Sequence, residues 1–121
     1  MPRVIHFEIP AEDPERAIAF YGSVFGWTFQ KWDGPAEYWM VDTGQEGPGI
    51  NGGLMRRHDP AQPITNVVGV DSVDAYAEKI AAAGGTIVVP KMPIPGVGWL
   101  ACFKDPDGYI TGIMQDDPSA A

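Results

Sequence analysis

The sequence predicts an α+β fold of two tandem βαβββ modules, a mixed sheet with helices on one face. Three observations predict it. A strand pattern followed by a helix pattern occurs twice. Each helix pattern stops at glycine, at Gly26 and at Gly84-Gly85. A single offset aligns the copies: Ile64 minus Ile5 is 59, and Gly85 minus Gly26 is 59. Carried forward, the offset lays Gly53-Leu54-Met55 on Gly112-Ile113-Met114, and Tyr38-Trp39-Met40-Val41 on Val97-Gly98-Trp99-Leu100. This reads as a duplication within one domain, module one 1–59 and module two 60–121.

In module one, Ile5–Ile9 opens as a strand and Pro14–Phe25 follows as a helix. Ala17, Phe20, Tyr21, Val24 and Phe25 keep the i, i+3, i+4, i+7, i+8 spacing of an apolar helix face. Asp13 suits the N-cap, Pro14 the first helical position and Gly26 a left-handed stop. In module two, Ile64–Val70 is the strand and Ser72–Ala83 the helix, with Val73, Tyr76, Ala77, Ile80 and Ala81 on one face. Asp71 or Ser72 caps it. Three further strands follow each helix: Trp27–Trp32, Glu37–Thr43 and Ile50–Arg56, then Thr86–Val89, Val97–Lys104 and Tyr109–Gln115. Aromatic and β-branched runs between Gly, Pro and Asp clusters support them. Asp33-Gly34-Pro35 and Asp105-Pro106-Asp107-Gly108 have turn chemistry. The Gly/Pro-rich segments 44–49 and 91–96 read as connectors, with a lid as the alternative.

Composition narrows the function. The chain has 121 residues, 45% hydrophobic and 20% charged, as folded domains do. A net charge of −8 argues against nucleic acid and is compatible with a cationic small ligand. No apolar run reaches the roughly 18 residues of a membrane span, and no signal peptide is expected from the first residues. One cysteine, Cys102, cannot form an internal disulfide, so a cytoplasmic location is expected. Walker-type, Gly-x-Gly-x-x-Gly and Gly-x-Ser-x-Gly patterns do not occur.

Strand alternation assigns faces. Ile5, Phe7 and Ile9 should lie under the helices, leaving His6 and Glu8 opposite. Tyr38, Met40 and Asp42 form the mixed polar and bulky set suited to lining a cavity, and the offset adds Trp99 to it. Met114 is counted with the ligand-binding candidates. Cys102 shares parity with Gly98 and Leu100 and is expected to be buried under the helix. His6 and Glu8 suit a general acid–base pair, the alternative being a solvated polar patch.

The His6 strand, the run from Asp13 to Tyr21, the Phe25-Gly26-Trp27 exit, the Ala82–Thr86 exit and the Phe103–Tyr109 turn together resemble the vicinal oxygen chelate (glyoxalase/bleomycin resistance) superfamily, over nearly the whole chain. Gly52–Met55 and Pro93–Gly98 resemble its glyoxalase-related bacterial subgroup. The resemblance implies modules curling into a cleft and, commonly, a homodimer. It also implies, in metal-dependent members, one ligand on the first and last strand of each module. Those places here are His6, Gly53, Thr65 and Gly112. Only His6 has a good donor side chain, so no cofactor is expected and His6 is the one surviving metal candidate. The expected function is small-molecule binding in the inter-module cleft without the metal. The alternative is a glyoxalase-type lyase or isomerase using His6 as ligand or base. An interaction module without a ligand is the third reading.

Overall fold

The computed structural model describes residues 2–121, and the fold is α+β, two βαβββ modules in tandem. Module one comprises β1 (Arg3–Ala11), α1 (Pro14–Phe25), β2 (Thr28–Lys31), β3 (Tyr38–Asp42) and β4 (Gly52–Arg56). Module two comprises β5 (Thr65–Gly69), α2 (Val73–Ala82), β6 (Thr86–Ile94), β7 (Gly98–Lys104) and β8 (Ile110–Asp116). Two compact units result: His6–Ile64, and Thr65–Ala121 together with the start of β1 through Ile5. In the first the strand order is β2-β3-β4-β1, in the second β5-β8-β7-β6. In each, the first and last strands run parallel and the other pairs antiparallel. No helix among the described residues is long and apolar enough to cross a membrane.

The helix ends follow their capping chemistry. The Asp13 side chain accepts from the Arg16 N–H at 3.2 Å, and Gly26 closes α1 at φ 74°, where a Cβ would be strained. Ser72 caps α2 by accepting from the Ala75 N–H at 3.1 Å.

In the first unit Ile9, Ala11, Val41 and Leu54 form the core, and α1 covers it with Ala17, Ile18 and Tyr21. Phe20, Val24 and Phe25, expected on the buried face, are 57%, 55% and 60% exposed. Phe20 and Phe25 instead pack their rings against Tyr21, and Phe25 also reaches Trp27. In the second unit Val73, Ala101 and Ile113 form the core, with Tyr76, Ile80, Trp99 and Phe103 against it.

Two expectations for module two are corrected. Residues 91–94 are not a connector: β6 runs on to Ile94, with register shifts between Ile87 and Val89 and between Val89 and Met92. As the terminal strand of its run, β6 tolerates Pro90 and Pro93, which cannot donate to a ladder.

The second correction concerns β7. Tyr38 pairs with Met55 and Leu100 with Met114. Met114 minus Met55 is 59, but Leu100 minus Tyr38 is 62. The three-residue slip is odd, so every side chain of β7 turns to the other face. Trp99, Ala101 and Phe103 face α2, while Leu100 and Cys102 face away from it. Cys102 is half-buried on that opposite face, not under the helix.

Candidate functional site

The chemistry gathers on the face of module one turned away from α1. Because Phe7, Ile9 and Ala11 pack toward the helix, β1 turns His6 and Glu8 the other way. Trp39 and Val41 do the same for β3, leaving Tyr38, Met40 and Asp42 on the open face. Glu8 and Met40 each lie opposite Gly53, so the three strands share one row there.

His6, Glu8 and Tyr38 form one hydrogen-bonded cluster. The Tyr38 hydroxyl is 2.7 Å from His6 Nε2 and donates to Glu8 Oε2 at 3.1 Å. His6 Nε2 lies 3.8 Å from Glu8 Oε2. Burial, then the negative charge of Glu8, then its hydrogen bond hold the phenol far above the usual tyrosine range, so it stays protonated.

Gly53 makes this cluster possible, a role not foreseen from sequence. A Cβ there would fall on the hydroxyl and ring of Tyr38. The phenol therefore takes the space in which a side chain at position 53 would begin. A glycine facing an aromatic side chain on the neighbouring strand is the signal that could have revealed it.

The other candidates separate. Met40 flanks the cluster and is 42% exposed. Asp42 is exposed, and its Oδ1 accepts from the Gly44 N–H at 2.9 Å, capping the turn after β3. Met114 is half-buried in module two, opposite Leu100. Trp99 is corrected from the open face to the helix side. Its Nε1 donates to Asp117 Oδ2 at 3.0 Å, and the Lys91 ammonium lies 4.6 Å over its ring.

The open-face strand residues of this unit carry two carboxylates, Glu8 and Asp42, one histidine, and no lysine or arginine. Arg57, just past β4, has Nη2 3.7 Å from Glu12 Oε2. An open groove of about 430 Å³ beside α1 is lined by Ala11, Asp13, Arg16, Phe20 and Ile64, among others. Its polar groups are occupied in capping and pairing, so it offers no comparable chemistry.

A divalent ion of the metal-dependent kind does not fit the residues present. Tyr38 fills the space at Gly53. A Cβ at Gly112 would lie 3.3 Å from Val67 Cγ2, against hydrocarbon. Among the described residues no group of three His, Cys, Asp or Glu side chains converges.

Residues 3–112 match the family model of the Glyoxalase/Bleomycin resistance protein/Dioxygenase superfamily. CFP32 of Mycobacterium bovis, provisionally named a glyoxylase, is 34% identical over 115 residues, covering 92% of this chain and 43% of that protein. The chain thus spans less than half of that relative. A "Probable lactoylglutathione lyase" of Vibrio parahaemolyticus is 28% identical over 131 residues, covering 98% of this chain and 94% of that one. The crystal structure of methylmalonyl-CoA epimerase from Mycobacterium tuberculosis superposes with a TM-score of 0.71 at 15% identity, covering 94% of this chain and 87% of that one. At that identity the likeness is one of fold.

Proposed function

This chain belongs to the Glyoxalase/Bleomycin resistance protein/Dioxygenase superfamily, and on that premise we propose that it binds a small molecule on the open face of module one without a divalent metal. The observation that carries the reading is the Tyr38 hydroxyl, seated over Gly53 and bonded to both His6 and Glu8. Through those two bonds it fixes His6 and Glu8 at a place where metal-dependent members carry a ligand. Met40 adds exposed apolar surface beside it. Two carboxylates and no strand cation on this face favour a neutral or cationic ligand over an anionic one.

The test is a thermal-shift and calorimetric screen of EDTA-treated protein against neutral, cationic and anionic aromatic compounds. The reading expects a neutral or cationic binder at one per chain, with affinity lost at least tenfold in Tyr38→Phe. Binding that needs added metal, or that selects anions, overturns it.

A second reading is a lyase or isomerase with His6 as base, favoured by the lyase-named relative matched over nearly its full length. Turnover of lactoylglutathione by metal-free protein, abolished in His6→Ala, would select it. A homodimer and a cytoplasmic location belong to the same proposal. Sedimentation as a monomer at micromolar concentration would remove the dimer.

A further inference from the structure

The protons of the His6–Tyr38–Glu8 cluster can be counted. A phenol carries one hydrogen, an ionised carboxylate only accepts, and a neutral imidazole carries one hydrogen on one of two nitrogens. Tyr38 donates its hydrogen to Glu8 Oε2 at 3.1 Å. The 2.7 Å contact between the same oxygen and His6 Nε2 must then take its hydrogen from the ring. Resting on the site proposed above, we infer that Gly53, Tyr38 and Glu8 hold neutral His6 as its Nε2–H tautomer, making Nδ1 the basic nitrogen offered to a ligand.

Each member has a separate part. Glu8 draws the phenol hydrogen away from the imidazole; without that acceptor, the hydroxyl would turn and donate to Nε2. Tyr38 relays the choice, its ionisation held so high by burial and by Glu8 that it keeps its hydrogen. Gly53 leaves the space, since any Cβ there would displace the phenol. Among the described residues none hydrogen-bonds His6 Nδ1, which leaves that nitrogen for a ligand. Which nitrogen carries the proton is set by the partner of the other, as elsewhere for histidine. A lone-pair nitrogen on the face that also carries the Glu8 carboxylate is matched by a ligand that donates: an ammonium, an N–H or an O–H group. A carboxylate or phosphate ester would meet a lone pair and a negative charge. Tyr38 is on this account a positioning residue, acting through His6.

The tautomer is readable in ligand-free protein, so its failure and a failure to find a ligand are separate results. The chain has two histidines, and His58→Gln leaves His6 alone in the spectrum. The experiment records two-bond ¹H–¹⁵N correlations of the ring in ¹⁵N-labelled protein at pH ~8.5, about two units above the ordinary histidine range. The expected wild-type pattern is a protonated Nε2 and an unprotonated Nδ1. Tyr38→Phe should weaken the preference, with a larger share of Nδ1–H than in the wild type. Glu8→Ala should invert it, with Nδ1 protonated, an inversion that a purely structural role for Glu8 would not produce. Wild-type protein with Nδ1 protonated in half its molecules or more overturns the assignment. So does an Nε2–H pattern that persists unchanged in both variants.

Discussion

Module one and module two repeat one backbone plan and differ in what stands over the glycine of the last strand. Over Gly53 stands the Tyr38 phenol, bonded to His6 and Glu8. Over Gly112, Val67 Cγ2 lies 3.3 Å and Leu100 Cδ1 3.7 Å from where a Cβ would sit. The pairings make these true counterparts. Glu8 and Val67 face the two glycines from the first strand of their modules, and Tyr38 and Leu100 face Met55 and Met114 from the third. The same gap is filled with hydrogen-bonding groups in one module and with hydrocarbon in the other. The comparison teaches that both copies keep the scaffold while the gap over the last-strand glycine holds ionisable groups only in module one.

Equality of the scaffolds is tested first, where the largest effects lie. Leu54→Ala and Ile113→Ala each truncate a buried core side chain and should each cost about 2–5 kcal/mol in denaturant unfolding. A near-zero cost in one module would show that only the other has a packed core.

The glycines come next. Gly53→Ala must displace Tyr38, and should cost about 1–3 kcal/mol together with the His6 tautomer. Gly112→Ala meets Val67 Cγ2 at 3.3 Å and Leu100 Cδ1 at an ordinary 3.7 Å, and should cost under about 1 kcal/mol. Equal costs would erase the distinction between the two gaps.

The smallest effect is electrostatic. A free tyrosine ionises near pH ~10, whereas Tyr38 is held above that, first by burial and then by Glu8. Below that pH both folded and unfolded chains keep the proton, and the contribution is fully present. Above it the unfolded chain ionises while folded Tyr38 does not, so stability falls as pH rises. Wild-type protein should therefore lose stability above pH ~10 more steeply than Tyr38→Phe. Parallel curves would place Tyr38 in a solvated setting.

Much of this was legible in the sequence, for local reasons. Asp13, Pro14 and Gly26 set the ends of α1, because caps act within a turn of the chain. His6, Glu8 and Tyr38 were separated from the core by alternation alone. What escaped depended on registers that no local pattern encodes. β7 lies three residues beyond where the 59-residue offset puts it, so Trp99 went to the wrong face and Cys102 with it. Proline hid the second half of β6, since a proline-bearing terminal strand reads like a loop. The seating of Tyr38 over Gly53 needed the β3–β4 pairing, which brings together residues 15 apart in sequence (53 minus 38).

The central claim is that a tyrosine hydroxyl, not a metal ion, completes the surroundings of His6. It is tested most directly by titrating EDTA-treated, ¹⁵N-labelled protein with Zn²⁺ while following the His6 ring nitrogens. The account predicts that one equivalent leaves those signals and the melting temperature unmoved. Saturation at one ion per chain, with the His6 signals shifted, the melting temperature raised and both effects lost in His6→Ala, would contradict it.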